Sequence, residues 1–372
     1  MRKIKVITRH AIANYGSLFQ SYATQTVLEE MGYSVEIIDY LSRKETAARR
    51  IKAISSRYGN PIKRLVYRAV KLPDELHRDR AFTKFRKKLL HLSPTFTSLD
   101  ELQSYSFGDD ILCAGSDQVW GYMPYGEIDP AYFLDFGDER NAFVAYSASL
   151  GRTDFDEEYD RVLSQQLGKF SFITIREPSG VSYIEKHTPY KAEWVLDPTL
   201  LLHRDRWTEQ ATLSSFKKPY ILLYQLHRDS IMNKYVKELA RKTGLKVIRI
   251  STSVYDCVKY GKQQVLKDPK KVLSLFRNAA CVVTNSFHAT VFSLIFNRRF
   301  VDFLPAKTHE RITDLLGILG LSNRIVSEVS DDTLNRALIP IDYTSANDIL
   351  DVQREESLAY IQEQLAKLEE RQ

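Results

Sequence analysis

The sequence predicts an α/β protein of two domains, and three observations carry that expectation. The chain has 372 residues, enough for two cores of ordinary size. Short β-branched runs alternate with longer segments of helical period almost throughout, the pattern of parallel strands joined by crossover helices. That alternation lapses over residues 203–218, which places a boundary there: one domain over 1–205, a second over 206–345. A long charged amphipathic helix follows over 346–372, expected to bridge back to the first domain. Two such domains facing each other would enclose a cleft, lined by the carboxyl ends of their strands.

Composition narrows the class. Apolar residues make up 44% and charged residues 27%, with a mean hydropathy of −0.32, which fits a globular chain and not a disordered or fibrous one. No stretch approaches the roughly 20 uninterrupted apolar residues of a membrane span. The opening Met1-Arg2-Lys3-Ile4-Lys5-Val6-Ile7 is too broken by lysine for a signal peptide, so the cytoplasm is the expected compartment. Three cysteines, Cys113, Cys257 and Cys281, form no CxxC pair. Two of them sit in apolar runs and read as small core residues.

The elements follow in order. Residues 4–8 are the first strand, Asn14-Tyr15-Gly16 a turn and Ser17 the cap of a helix that ends at Gly32. Residues 35–38 form the second strand, closed by Asp39. A basic helical insertion over about 43–90 comes next, broken at Gly59-Asn60-Pro61 and at Pro73. Residues 43–88 hold 16 Lys and Arg against 4 Asp and Glu, a local excess of +12. Because the whole chain carries +6, the remainder carries −6. A solvated helical face explains such a segment as readily as attraction to phosphates, anionic lipid or nucleic acid; no nucleic-acid recognition motif accompanies the charge. Strands resume at residues 111–114, 143–146, 172–175 and 194–196. The second domain reads as strands at 220–224, 246–250, 281–284 and 300–303 with helices between them.

Polar residues just beyond strand ends are the candidates for chemistry. Asn14, Tyr15 and Gly16 precede a helix N-terminus, which favours an anion, although an ordinary tight turn is the plainer reading. Ser116, Asp117 and Gln118 occupy a comparable loop, where an acid orients a hydroxyl or caps a helix. Arg176 emerges from a buried strand and suits bidentate contact with a carboxylate or phosphate, or else an ion pair with Glu177 or another acid. His288 opens the helix after strand 281–284, with Asn285 and Ser286 beside it as hydrogen-bond donors. Its imidazole suits general acid–base work, against the commoner fate of a histidine as a structural residue. Asp154-Phe155-Asp156 resembles a metal-binding DxD but reads as the acidic first turn of a helix. Asp39 has the position of a ribose-binding acid, yet the preceding turn lacks the glycines that a dinucleotide needs.

Five motifs in order resemble the polysaccharide pyruvyltransferase family over most of the chain. They are Asn14-Tyr15-Gly16-Ser17-Leu18-Phe19-Gln20-Ser21-Tyr22-Ala23, Gly115-Ser116-Asp117-Gln118-Val119-Trp120, Ile175-Arg176-Glu177, Leu196-Asp197-Pro198-Thr199-Leu200-Leu201 and Thr284-Asn285-Ser286-Phe287-His288-Ala289-Thr290. The resemblance implies a fold like that of B-type glycosyltransferases, with two Rossmann-like domains. It implies transfer of a pyruvyl group from phosphoenolpyruvate to two hydroxyls of a cell-envelope or capsule saccharide, often lipid-linked, with no metal or redox cofactor. Arg176 would clamp the donor and His288 would supply or relay a proton. Two departures stand out: Ser286 occupies a position where better-studied members carry arginine, and Ala289 replaces the glycine that commonly follows the histidine. The missing cation is expected from Arg277 or Arg311. In that setting the basic segment 43–88 is expected to contact anionic membrane at its inner face.

Two other readings share the fold. Glycosyl transfer from a nucleotide sugar often goes with two glutamates spaced E-x7-E, and no such pair surrounds Glu310. A non-catalytic saccharide- or anion-binding protein has less need of the polar residues gathered around His288 and Arg176.

Overall fold

The computed structural model describes residues 2–56, 59–213, 216, 218–306 and 308–370. The chain divides into two units, Met1–Leu201 with Glu355–Gln372, and Leu202–Arg354. Arg57 of the basic segment and parts of the expected boundary at 203–218 lie outside the described residues.

The first unit is built on seven strands: β1 (Lys3–Ile7), β2 (Ser34–Tyr40), β3 (Leu92–Phe96), β4 (Ile111–Ala114), β5 (Ala142–Ala148), β6 (Phe172–Ile175) and β7 (Glu193–Trp194). They form one parallel sheet in the order β3-β2-β1-β4-β5-β6-β7. β4 is buried along its whole length, as expected of a central parallel strand covered on both faces. Its thiol, Cys113, is pushed up to about 12 by burial, so it remains a protonated core residue.

The second unit has β8 (Tyr220–Tyr224), β9 (Lys246–Ser251), β10 (Lys262–Val265), β11 (Cys281–Thr284) and β12 (Phe300–Asp302), again parallel, in the order β10-β9-β8-β11-β12. Its core includes Ile221, Leu223, Val236, Leu239, Val283 and Val301. Cys281 lies in this core, and burial pushes its thiol up to about 12 as well. Both sheets are of the α/β class that the alternating pattern predicts.

The edge strands β3 and β10 escape the sequence reading. Pro94 interrupts β3 and β10 reads Lys-Gln-Gln-Val; an edge position tolerates both, because only one side needs ladder bonds or burial. The first helix also starts earlier than expected. α1 (Tyr15–Glu30) is capped by Asn14, whose side-chain oxygen accepts the Gly16 N–H at 2.8 Å. Ser17, the expected cap, instead lies inside the first turn.

Two helices make up the insertion, α2 (Ala47–Ser55) and α3 (Pro61–Leu89). Asn60 caps α3 and Pro61 occupies its first turn, where a missing N–H costs nothing. Pro73 does not break the helix as expected. Pro73 and Ala69, whose carbonyl faces the proline ring, both lie on the exposed side, where no packed neighbour opposes a local adjustment of the helix. The far end of α3 is rooted in the first unit. Phe82 is fully buried, its ring 5.0 Å from Tyr15 and 5.5 Å from Phe85, and Arg86 donates to the Ala11 carbonyl at 3.1 Å.

The terminal helix, Thr344–Glu370, joins the first unit in its last part. There the Ser357 hydroxyl accepts the Leu196 N–H at 3.1 Å and Glu369 accepts the Arg2 N–H at 3.1 Å.

Gly115 tests the packing where β4 ends beside β1. A Cβ there would lie 2.6 Å from Val6 Cγ1 and 3.3 Å from the Ile7 oxygen, both in a strand that cannot withdraw. Gly115→Ala is therefore expected to cost about 1–3 kcal/mol through overpacking, read as a lower urea midpoint at unchanged slope.

Candidate active site

In each sheet the strand order reverses once, between β1 and β4 in the first and between β8 and β11 in the second. Loops leaving the two strands part at such a point, which opens a crevice at their carboxyl ends. Four of the five motifs meet at this edge of the first sheet, and the fifth lies at the corresponding edge of the second.

The first edge is organised by Arg176, which follows β6 and whose side chain is wholly buried. Its guanidinium donates to Asp197 at 2.6 Å, to Asp117 at 3.3 Å and to the Ser116 hydroxyl at 3.3 Å, with Glu177 at 3.8 Å from Nε. Burial alone would lower the pKa of this group. The charges of Asp197, Asp117 and Glu177 outweigh burial and raise it, so the cation is held firmly. Asp117 also accepts from Ser17 Oγ at 2.6 Å and from the Gln118 N–H at 2.8 Å, in a strained left-handed conformation at φ 82°. Asp197 accepts the Thr199 N–H at 2.9 Å, and Thr8 Oγ1 joins Ser116 to Gln20. Glu177 receives Ser149 Oγ at 2.9 Å and the Leu150 N–H at 2.8 Å.

This geometry corrects the donor clamp expected of Arg176. Its fork is closed on carboxylates inside the protein, the ion-pair alternative. Tyr15 and Gly16 are likewise taken up by the fold, being buried in α1, while the Asn14 oxygen is engaged as a cap. Sequence reasoning passed over a further pair at this edge. His10, completely buried, bonds Asp39 at 3.0 Å through Nε2 and the Thr8 carbonyl at 3.0 Å through Nδ1. Burial would raise the Asp39 carboxyl, but hydrogen bonds from His10 and Thr95 bring it below its ordinary value. The signal for this pair was the placement of a histidine three residues after β1.

At the second edge, His288 lies in the first turn of the Phe287–Ile295 helix and is nearly buried. Asn285, expected as a hydrogen-bond donor beside His288, bonds the loop after β8. Its Oδ1 accepts the N–H groups of Leu226 and His227 at 2.8 and 3.4 Å, and its Nδ2 donates to the His227 carbonyl at 2.8 Å. It ties the loop after β8 to the loop after β11 across the reversal point. Ser286 is the helix N-cap residue, and its own N–H bonds Thr284 Oγ1 at 3.0 Å. The Phe287 ring stands edge-on to His288 at 5.2 Å, and the Arg311 guanidinium lies over that same ring at 5.3 Å.

Arg311 opens the Glu310–Ile318 helix, which follows β12, so it shares this carboxyl edge. His227 shares it too: burial, and then the charge of Arg311, lower its pKa and favour the neutral imidazole. Arg277 does not belong here. It sits in the last turn of the Pro269–Asn278 helix, which leads into the opposite end of β11, where its charge acts on Arg298 just before β12. Next to His227 a cavity of about 680 Å³ is lined by Arg228, Asp229, Lys237, Lys259 and Tyr260, with Lys259 ion-paired to Asp256 at 2.5 Å. The helix N-termini at this edge, with Arg311 beside them, suit anions.

Asp156 caps the Glu157–Leu167 helix by accepting the Tyr159 N–H at 2.9 Å, in keeping with the helix-turn reading of the DxD-like run. Among the described residues, no three or more His, Cys, Asp or Glu converge as a metal-holding group.

Two predictions follow from buried charge. Arg176→Met strands Asp117 and Asp197 without their cation and should cost about 3–5 kcal/mol in urea unfolding, part of which returns when Asp197→Asn is added. Asp302, at the end of β12 and wholly buried, has its carboxyl raised to about 8 by burial, despite a hydrogen bond from Thr290. The unfolded chain releases this proton near pH 4. The stability the group contributes is therefore full in acid and is lost as pH rises through about 8. Relative to the parent, Asp302→Asn should gain in melting temperature between about pH 4 and 8 and then hold a constant lead.

Comparison with known proteins accords with this architecture. UDP-GlcNAc 2-epimerase from Neisseria meningitidis, bound to UDP-GlcNAc, aligns over 99% of this chain and 100% of its own at 9% identity, with a TM-score of 0.50. The UDP-GlcNAc 2-epimerase of Methanocaldococcus jannaschii in complex with UDP-GlcNAc and UDP aligns over 94% and 98% at 12% identity, with a TM-score of 0.46. At such identities the first likeness speaks for the fold alone, two parallel α/β units of the B-type glycosyltransferase kind. Among curated proteins none matches the chain significantly. The family model of polysaccharide pyruvyl transferase matches residues 14–304, which runs from the cap of α1 past the end of β12. With its motifs gathered at the carboxyl edges of the two sheets, the chain belongs to the polysaccharide pyruvyl transferase family.

Proposed function

We propose that this protein transfers a pyruvyl group from phosphoenolpyruvate to two hydroxyls of a lipid-linked saccharide, forming a ketal. The observation that carries the reading is the grouping of His288, Arg311 and a helix N-terminus at one edge of the second sheet. Phosphoenolpyruvate brings a phosphate and a carboxylate. Arg311 and the N–H groups opening the Phe287–Ile295 helix suit such anions, and Arg311 supplies the cation that Ser286 does not.

In the proposed reaction His288 gives a proton to the methylene carbon of the donor. A sugar hydroxyl bonds through its oxygen to the adjacent carbon and its proton returns to His288; the phosphate leaves with the electrons of its C–O bond, and the second hydroxyl closes the ketal, its proton passing to the departing phosphate. Arg176 contributes by holding the loops of the first unit in place. The scheme needs neither a metal nor a redox cofactor.

The test is incubation with phosphoenolpyruvate and a panel of lipid-linked and synthetic sugars, following phosphate release and a mass gain on the sugar. A parallel panel of nucleotide sugars separates glycosyl transfer from this reading. Product from that panel alone would replace pyruvyl transfer. His288→Ala should lower kcat by about 10²–10⁴-fold with the thermal midpoint kept; near-normal turnover would remove His288 from the chemistry. Arg311→Gln should raise KM for the donor more than it lowers kcat.

A further inference from the structure

α3 presents an apolar face to the outside. Ile62, Leu65, Val66, Ala69, Val70, Pro73 and Leu76 are all exposed, Ile62 and Leu65 at 70% and 69%. At 100° per residue these seven positions fall on one side of the helix, a stripe about 20 Å long. The opposite side is the one that packs: Arg68 donates to Ser55 of α2 at 2.8 Å. A monomeric protein in water seldom shows so continuous an apolar strip.

The same outward side changes character further along. Arg80, Lys84 and Lys87 continue the stripe and are exposed, and Lys63 flanks its start. An apolar strip running into a basic one matches an interface that offers hydrocarbon at one depth and negative charge above it. Among the described residues no helix is long and apolar enough to cross a membrane, so contact of this kind would be from the surface.

At its inner end the stripe meets a cavity of about 320 Å³ that Leu76 lines with Ala11, Ile12, Leu41 and Arg86. That cavity opens beside the loop leaving β1, at the carboxyl edge of the first sheet.

We infer that α3 is a docking helix that lies in the surface of an anionic lipid membrane, its Ile62–Leu76 face in the acyl boundary and Arg80, Lys84 and Lys87 on lipid phosphates. Docked in this way, the chain holds the cavity under Leu76 next to the membrane, where a lipid-anchored headgroup arrives. The inference stands without the pyruvyl-transfer reading, because it concerns attachment and not turnover.

Flotation with phosphatidylcholine vesicles, with and without one-third phosphatidylglycerol, tests it on the full chain at low and high salt. The parent should float with the anionic vesicles only, and less at high salt. Leu65→Glu with Val66→Glu should reduce the bound fraction at least about tenfold at either salt. Lys84→Glu with Lys87→Glu should reduce it mainly at low salt. All four positions are exposed, and unchanged melting temperatures establish that the variants fold. Equal recovery with neutral and anionic vesicles would overturn the inference, as would indifference to Leu65→Glu with Val66→Glu. A dimer in sedimentation velocity that these two substitutions dissociate, with no flotation of the parent, would assign the stripe to self-association instead. Because no donor or acceptor is present, failure here leaves the proposed reaction untouched, and success does not establish it.

Discussion

Taking the Arg176 guanidinium out of water costs several kcal/mol, and acids recover that cost only when their geometry is tight and their remaining lone pairs are satisfied. Asp197 at 2.6 Å and Asp117 at 3.3 Å meet the first condition. Ser17, Gln118 and Thr199 meet the second by donating to the same two carboxylates. The partners come from α1, from the loop after β4 and from the segment after β7, so one cation ties together pieces of chain up to 180 residues apart, from Ser17 to Asp197. No apolar residue in its place would specify which loop lies against which. The strained backbone of Asp117 belongs to the same economy: its conformation persists because three donors converge on its side chain.

The two sheets reverse at equivalent points, but the edges differ in charge. At the first edge Arg176 is matched with Asp117, Asp197 and Glu177, and Arg9 with Glu45 at 2.7 Å, leaving little attraction for an anion. At the second edge Asn285, a neutral side chain, carries the loop-to-loop bonding that charged groups carry in the first. The same scaffold thus fixes its loops with buried charges at one edge and with a neutral amide at the other.

Strands with a continuous apolar run were legible in the sequence: β4, β6, β8 and β11 stand where periodicity and length place them. The edge strands were not, because a one-sided strand such as Lys262–Val265 has no burial pattern to read. Candidate positions at strand ends were legible for the same reason that the strands were. What sequence could not convey is which way each side chain is spent. Arg176 and Asn285 bond inward, Arg277 falls at the wrong end of β11, and Arg311 meets Phe287. Pairings of this kind depend on contacts far apart in the chain. The direction of a helix relative to its strand would have separated Arg311 from Arg277, since a helix that follows a strand starts at its carboxyl end and one that precedes a strand finishes at the other.

Asp302 completes the logic of the second edge. Its carboxyl is hydrogen-bonded to Thr290 Oγ1, and the same hydroxyl lies 3.1 Å from the Ser286 carbonyl, so β12 is fastened to the turn that carries His288. An ionised carboxylate at that point would set a negative charge against the start of a helix whose exposed N–H groups favour anions. Burial prevents this by holding the carboxyl in its protonated form up to about pH 8. The fastening is then a neutral hydrogen bond, and no charged carboxylate at this point opposes the positive end of the helix. An ionised acid in place of the neutral carboxyl would keep the bond to Thr290 but would place a negative charge beside the start of that helix. The choice of a deeply buried carboxylic acid allows the anchor to be strong without being charged.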